Sequence, residues 1–149
     1  MKRVVLVGGG TAGHVEPALA VSNWLRKQSD QIALEFIGTK SGIEVELLVD
    51  TAITFHPIAK VPFPRALTIK TIIWPIKFIF ATIQALSAIK GSSVVIGVGG
   101  YVSAPAYLAA KLLGIPLVLH EANAKPGLAN ILGAKLTRSE EHTSELQSH

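Results

Sequence analysis

The sequence predicts an α/β protein built on one doubly wound parallel β-sheet. Short runs of β-branched residues alternate along the chain with longer helical stretches, and this order is typical of a parallel sheet covered by helices on both faces. Two strand candidates, residues 4–7 and 94–98, are continuous apolar runs, as expected for strands buried on both sides. Glycine-rich segments follow the first and fourth strands, at sheet positions where ligands commonly bind.

Five strands and five helices are predicted in alternation. The strand candidates are residues 3–7, 32–37, 53–58, 93–98 and 116–119. The helix candidates are residues 15–28, 42–49, 67–90, 104–113 and 128–136. Ser41 and Glu44 have capping-box spacing before the second helix, and Ser103 is the expected N-cap of the fourth. No internal repeat occurs, so residues 1–137 are predicted to form one domain.

Composition favours a well-buried sheet or a membrane-associated surface, because 49% of the residues are hydrophobic and only 16% are charged. The chain has no cysteine, which excludes disulfides, thiolate metal sites and a cysteine nucleophile. The first apolar run meets glycine at once and is too short for a signal peptide, so we expect a cytoplasmic protein.

The last twelve residues, 138–149, read RSEEHTSELQSH and resemble the translation of a sequencing adapter. We therefore treat this tail as non-native and exclude it from the fold. The tail carries one Arg and three Glu, so residues 1–137 hold 13 basic and 7 acidic residues, a net charge of +6. A basic domain of this kind predicts an anionic partner: a phosphate, a nucleotide or a lipid surface, with no nucleic-acid partner expected.

The first glycine loop, residues 8–14, reads GGGTAGH between the first strand and the first helix. Free N–H groups at a helix N-terminus attract anions, so a phosphate or diphosphate is expected near this loop. The spacing also fits a dinucleotide fingerprint, but that fingerprint expects an acidic residue at the end of the second strand, and Glu35 lies inside it. His14 follows the loop directly; the helix dipole disfavours its protonated form, which makes it a candidate proton acceptor.

Two further loops leave strands at the same predicted edge. Residues 97–105 read GVGGYVSAP and run from the fourth strand into a helix, which makes a second anion-ready helix start. Residues 120–127 read HEANAKPG and offer a base, a carboxylate and an amide together. His56 precedes a proline, has no polar neighbours in the sequence, and is predicted to be structural.

Residues 67–90 are predicted to form a strongly apolar helix that contains lysines. Its longest uncharged run has 12 residues, shorter than the roughly 20 that a spanning helix needs, and Pro75 and a lysine interrupt it. The segment is therefore not predicted to span a membrane. Its apolar residues nevertheless exceed what one helix face can bury, which suits docking on an anionic membrane; a buried helix or a dimer contact is the alternative. The predicted membrane patch consists of Lys70, Ile73, Trp74, Lys77 and Phe78.

With these motifs in place, the sequence resembles the MurG family of bacterial cell-wall glycosyltransferases from residue 4 to about 137. The two glycine loops carry the likeness, together with Gly38, Thr39, Gly42 and Glu44 after the second strand. The fifth-strand loop adds Leu119, His120, Glu121, Asn123, Gly127 and Asn130. Several ordered motifs at the right spacing are far more specific than one glycine loop.

The resemblance implies a Rossmann-like domain that forms the N-terminal half of a GT-B glycosyltransferase. Such an enzyme is inverting and moves N-acetylglucosamine from UDP-N-acetylglucosamine to the C4 hydroxyl of undecaprenyl-diphospho-N-acetylmuramoyl-pentapeptide, converting lipid I to lipid II in peptidoglycan synthesis. It works at the cytoplasmic face of the cell membrane as a peripheral protein and needs no metal or other cofactor. The C-terminal donor domain is missing here, so the chain alone is expected to be inactive.

The resemblance also implies residue roles. The donor would contact Thr11, Ala12, Gly13 and Asn123. The acceptor would contact Gly99, Gly100, Tyr101 and Ser103. His14 would be the catalytic base, with Glu121 as the second candidate. The family often has Gly where Ala12 stands and Gln where Ala122 stands, which puts a side-chain contact at position 122 in doubt.

Three other interpretations remain open from the sequence. The chain could be the acceptor-binding subunit of a split two-chain glycosyltransferase, which a genuine stop codon soon after Thr137 would support. It could be a nucleotide-binding oxidoreductase domain, which a bound flavin or nicotinamide would support. It could also be a non-catalytic membrane-binding module, for which neither glycine loop would matter.

Overall fold

A computed structural model describes residues 1–137, and the predicted non-native tail at 138–149 lies outside the described residues. Five parallel strands form one sheet in the order β3-β2-β1-β4-β5. The strands are β1 (Lys2–Val7), β2 (Ile32–Thr39), β3 (Thr54–Ile58), β4 (Val94–Gly97) and β5 (Leu117–Leu119). The helices are α1 (Ala12–Gln28), α2 (Glu44–Leu47), α3 (Ile69–Ile89), α4 (Ser103–Leu113) and α5 (Leu128–Leu136). The predicted doubly wound, Rossmann-like α/β fold is confirmed.

Two hydrophobic clusters lie on opposite faces of the sheet, because successive strand side chains point to opposite sides. Val5 and Val7 of β1 belong to the cluster that packs against α3, α4 and α5. Val4 and Leu6 belong to the cluster that packs against α1 and the end of α2. All four of these valine and leucine side chains are at most 6% exposed, which explains why β1 reads as an uninterrupted apolar run.

The second helix is shorter than predicted, and its start is built differently. Glu44 does not complete a capping box with Ser41. Its carboxylate is fully buried and accepts hydrogen bonds from the backbone N–H and the hydroxyl of Thr39, at 2.7 and 3.0 Å. The spacing was compatible with a cap, but the carboxylate turns towards the end of β2. The predicted N-cap at Ser103 is also wrong, because Val102 occupies that position.

The third helix continues through Pro75, which therefore does not interrupt it. The 21-residue helix α3 is long and apolar enough by composition to cross a membrane, since an 18-residue stretch of it has a mean hydropathy of 1.7, although 28% of that stretch is buried inside the protein. Its second half is a core helix, since Ala81, Ala85 and Ile89 are fully buried against the sheet. Its first half leaves large side chains in solvent: Ile69, Ile72, Ile76 and Ile79 are each more than half exposed.

Candidate functional site

The two glycine loops meet above the sheet because β1 and β4 are neighbours, with Val7 paired to Gly97. Gly100 lies directly on the backbone of Gly9, so close that a Cβ at Gly100 would overlap the Gly9 carbonyl oxygen. Gly99 and Gly100 have φ angles of 97° and 89°, which disfavour any residue with a side chain. The glycines thus allow two loops from different parts of the chain to touch through their backbones.

His14 lies in the first turn of α1 with a defined orientation. Its Nδ1 is 3.2 Å from the carbonyl oxygen of Gly9 and 3.2 Å from the hydroxyl of Thr11. A carbonyl can only accept, so we assign the proton of the neutral ring to Nδ1. Nε2 then carries the free lone pair, and it faces the second loop, where a Cβ built on Gly99 would be 3.4 Å away. This arrangement leaves Nε2 able to accept a proton.

The remaining residues of the first loop present backbone groups. Thr11 is the N-cap residue of α1, with extended backbone and no side-chain cap bond. The first N–H groups of a helix, here those of Ala12 and Gly13, have no partner inside the helix. Thr11 and Gly13 are exposed, so these groups are accessible to an anionic ligand.

The second loop presents Tyr101 and buries Ser103. The ring of Tyr101 approaches Gly10, where a Cβ would lie 3.5 Å from Cε1. Ser103 is fully buried, and its hydroxyl donates to the carbonyl of Gly99 at 2.9 Å. Ser103 therefore holds the loop backbone in place, and its side chain points into the protein.

The carboxylate of Glu121 is engaged by four donors. It accepts from the backbone N–H and side-chain amide of Asn123 at 2.9 and 3.0 Å, from the backbone N–H of Gly127 at 3.1 Å, and from the Asn130 amide at 3.0 Å. Burial raises the pKa of the Glu121 carboxyl, but the hydrogen bonds outweigh it, and the pKa is lowered from its ordinary value. These hydrogen bonds hold the carboxylate within its own loop.

Asn130 connects that loop to the core, a role that sequence reasoning missed. It is only 5% exposed; its Oδ1 accepts from the hydroxyl of Tyr107 at 2.7 Å, and its amide also donates to the carbonyl of His120 at 3.1 Å. Burial raises the pKa of Tyr107 to about 12, so the phenol remains a donor at neutral pH. The available signal was a polar residue within the apolar stretch of α5; nothing in the sequence singled out Tyr107.

These elements surround one cleft of about 300 Å³. Its lining combines the glycine loops, the fifth-strand loop and one residue from the segment before α3: Gly9, Gly10, Thr11, His14, Phe63, Gly99, Gly100, Tyr101, Glu121, Gly127, Leu128 and Ala129. His14 and Glu121 thus share a cleft, as do Thr11 and Tyr101. Ala12, Gly13, Ser103 and Asn123 are outside the lining. Among residues 1–137, no group of three or more His, Cys, Asp or Glu is placed to hold a metal ion.

The members of the predicted membrane patch on α3 differ in their exposure. Lys70, Ile73 and Lys77 are exposed. Trp74 and Phe78 are half-buried and stack on each other with ring centroids 5.0 Å apart. The exposed apolar face consists mainly of residues that the prediction did not include, namely Ile69, Ile72, Ile76, Ile79, Phe80 and Ile83.

A second polar cluster lies away from the cleft and contains His56. Nε2 of His56 lies 2.7 Å from the Glu35 carboxylate, so this histidine has a polar partner from the neighbouring strand. Arg3 donates two bonds to the same carboxylate, at 2.6 and 2.8 Å. The Arg3 hydrogen bonds, aided by His56, lower the pKa of Glu35 despite its burial. Glu35 is committed to this cluster and is not available to a dinucleotide ribose.

Comparison with known proteins indicates the family of the chain. Residues 4–140 match the family model described as the glycosyltransferase family 28 N-terminal domain. One relative is the UDP-N-acetylglucosamine--N-acetylmuramyl-(pentapeptide) pyrophosphoryl-undecaprenol N-acetylglucosamine transferase of Frankia casuarinae. The chain is 50% identical to it over 140 residues, and the alignment covers 92% of this chain and 37% of that protein. The chain is 48% identical over 135 residues to the protein of the same name in Streptomyces coelicolor. That alignment covers 89% of this chain and 37% of the Streptomyces protein. The chain thus spans little more than a third of the length of these curated relatives.

Solved structures give the same result. The crystal structure of Acinetobacter baumannii MurG superposes with a TM-score of 0.77 at 36% identity, over 92% of this chain and 39% of that one. The Streptomyces glycosyltransferase SsfS6 superposes with a TM-score of 0.58 at 17% identity. The superposition covers 91% of this chain and 44% of SsfS6, which shows a shared fold. The chain therefore belongs to the MurG family and corresponds to its N-terminal, glycosyltransferase family 28 domain.

Proposed function

We propose that this domain, joined to a C-terminal donor domain, transfers N-acetylglucosamine from UDP-N-acetylglucosamine to the C4 hydroxyl of undecaprenyl-diphospho-N-acetylmuramoyl-pentapeptide. The names of the relatives support this chemistry, since proteins about 50% identical over the domain carry it. The observation that carries the proposal is the orientation of His14, whose Nε2 is free in a cleft formed by both glycine loops.

The proposed reaction is a single displacement with inversion. The acceptor C4 oxygen forms a bond to the anomeric carbon of the donor, and the bond between that carbon and the UDP oxygen breaks. Nε2 of His14 takes the hydroxyl proton, while UDP leaves with the bonding electrons. Backbone N–H groups at the start of α1, including those of Ala12 and Gly13, suit the stabilisation of negative charge on the departing diphosphate.

Between the two candidate bases, the hydrogen bonding favours His14. Glu121 already accepts four hydrogen bonds, and its lowered pKa makes it a weaker base than a free carboxylate. We propose that Glu121 shapes the fifth-strand loop, with Asn123 at its surface beside the donor. Gly99, Gly100 and Tyr101 are proposed to face the acceptor; Ser103 would act by holding the backbone of Gly99.

Membrane association is the second part of the proposal. The exposed apolar face of α3, flanked by Lys70 and Lys77, suits peripheral docking on an anionic membrane at its cytoplasmic face. A lipid-linked acceptor is confined to that surface, so docking would bring the cleft to its substrate.

The test is turnover by a two-domain protein in which this domain is joined to its natural C-terminal continuation, with UDP release and disaccharide formation measured together. His14→Ala is expected to lower the turnover rate roughly 100-fold or more, the usual contribution of a general base. His56→Ala is the matched control, since it removes a histidine that lies outside the cleft. Unchanged turnover of His14→Ala would reassign the base, with Glu121 next. The 149-residue chain alone is expected to show no turnover.

Two outcomes would favour the other interpretations. A natural stop codon soon after Thr137, with activity restored by a separate chain, would identify a split transferase. A flavin or nicotinamide that copurifies with the chain would identify an oxidoreductase domain, although Glu35 is already engaged by Arg3 and His56.

A further inference from the structure

A second concave site lies between the segment before α3 and the first turns of that helix. The Trp74 indole donates to the carbonyl of Pro62 at 2.8 Å, and the Phe63 and Trp74 ring centroids are 6.1 Å apart. Thr68 and Thr71 form a reciprocal capping box at the helix start. These contacts hold the walls of a pocket of about 230 Å³, which we name the Phe63–Trp74 pocket.

The rim of this pocket carries only positive charge. Four cationic side chains line it, and no acidic residue does: Lys60, Arg65, Lys70 and Lys77 are the charged members. The ion pairs formed within residues 1–137 are those of Glu35 with Arg3 and with His56, so none engages these four cations. The positive end of α3 adds to the same potential. An apolar floor with a cationic rim is complementary to an amphiphile that carries a phosphate.

The pocket adjoins the cleft that contains His14. Phe63 lines both sites, so the two cavities meet at its ring. On the far side, Leu67, Ile69 and Ile72 are 95%, 78% and 77% exposed and begin the apolar face of α3. The pocket therefore lies between the candidate catalytic cleft and the surface proposed to dock on the membrane.

We propose that the Phe63–Trp74 pocket binds the head of a prenyl diphosphate, with the diphosphate on the cationic rim and the first isoprene units across Phe63 and Trp74. This inference rests on the proposed function and specifies where the lipid part of the acceptor lies. The pocket is smaller than the roughly 300–1,000 Å³ that encloses a whole drug-sized ligand. It therefore takes one segment of a longer chain, whose remaining length continues along the exposed face of α3.

The proposal can be tested by direct binding to the 149-residue chain. Trp24 is 60% exposed on α1, so Trp24→Phe leaves Trp74 as the single indole reporter. The probes are farnesyl diphosphate, inorganic diphosphate and farnesol, titrated below the micelle concentration. Farnesyl diphosphate is expected to change Trp74 emission saturably, with at least tenfold tighter binding than either fragment. Equal binding of inorganic diphosphate would overturn the proposal, as would a silent titration.

Two variants separate the contributions of the rim and the floor. Arg65→Gln with Lys70→Gln is expected to weaken farnesyl diphosphate binding by up to about fivefold for each exposed cation removed. Lys111→Gln removes one positive charge from a residue that does not line this pocket, and it should bind like the parent. Phe63→Ala should weaken farnesyl diphosphate binding and leave the weak binding of inorganic diphosphate unchanged. Circular dichroism establishes that each variant is folded, and equal affinities of the rim variant and Lys111→Gln would refute the assignment.

A final arm distinguishes the prenyl diphosphate from bulk phospholipid. Phosphatidylglycerol vesicles are added to the farnesyl diphosphate complex at equal accessible phosphate. Retention of the farnesyl diphosphate signal supports the proposal, and displacement in proportion to vesicle phosphate would make the pocket a general lipid contact and overturn it. None of these titrations requires transfer, so they can fail while the two-domain enzyme turns over, and succeed if it does not.

Discussion

Gly100→Ala is the most informative single change, because the contact between the glycine loops orients His14. The added Cβ would overlap the carbonyl oxygen of Gly9 and lie 3.3 Å from the Gly9 carbonyl carbon and nitrogen. That same carbonyl accepts from Nδ1 of His14 at 3.2 Å. The substitution therefore acts on the backbone group that orients the proposed base, without touching the histidine itself.

The substitution is expected to have two effects, a loss of stability and a loss of reaction rate. Gly100 has a φ of 89°, and the left-handed conformation costs a residue with a side chain roughly 1–2 kcal/mol. Relief of the overlap requires the loops to separate by roughly 1 Å, since non-bonded atoms prefer about 3.5 Å or more. A displacement of about 1 Å in an active site can lower the reaction rate about 100-fold. We therefore expect modest destabilisation together with a large loss of turnover.

Gly114→Ala is the matched control. Gly114 also has a positive φ, 66°, but a Cβ there would meet nothing within 4 Å, at the end of α4. Both variants should lose a similar 1–2 kcal/mol, seen as a decrease in Tm of about 4 °C per kcal/mol for a domain of this size. Only Gly100→Ala should reduce kcat of the two-domain enzyme, and equal kcat values for the two variants would refute the coupling between the loops.

Three further predictions concern the fifth-strand loop and the membrane face. Asn130→Ala should lower the free energy of unfolding by about 1–3 kcal/mol in urea titrations, because it leaves the buried Tyr107 hydroxyl without its acceptor; a loss below about 0.5 kcal/mol would show that the network contributes little. Glu121 has a lowered pKa, so its contribution to stability is present above the unfolded-state pKa and is lost as pH falls through the folded-state value. Glu121→Gln should therefore reduce the loss of stability between about pH 5 and pH 3. An unchanged slope of the free energy of unfolding against pH would contradict this. The chain should co-sediment with anionic liposomes, and less of it should sediment at 1 M salt, where the Debye length falls to about 3 Å. The double substitution Ile72→Ser with Ile76→Ser should weaken that binding, because both side chains are exposed. No sedimentation of the parent chain would favour a dimer contact for this face.

Local sequence signals determined the order of elements and the edge of the sheet that carries the site. Val4–Val7 is apolar at each position because β1 packs on both faces, and that requirement is visible without a structure. The glycines at positions 99 and 100 likewise show that the loop can adopt the positive φ angles that the structure contains. His14 could be selected as a candidate base because it directly follows a glycine loop at a helix start.

Tertiary structure decided which side chains meet and which groups remain free. The four hydrogen bonds that Glu121 accepts all come from Asn123, Gly127 and Asn130 further along the chain, and the sequence did not show that these donors converge on one carboxylate. His56 gained a polar partner from a neighbouring strand, 21 residues away along the chain. These pairings depend on strand order and register, which local patterns do not encode.

The third helix shows the same division in one element. Its sequence predicts too much apolar surface for one face, but its apolar residues fall on every side, so periodicity could not choose between them. Packing of Ala81 and Ala85 against the sheet fixes the rotation of the helix, turns Trp74 towards Phe63 and leaves Ile72 in solvent. The sequence by itself thus determined the fold class, the two glycine loops and the presence of a strongly apolar helix. Only the tertiary structure decided which of its residues line a pocket and which face outward, because that depends on how the whole helix is packed.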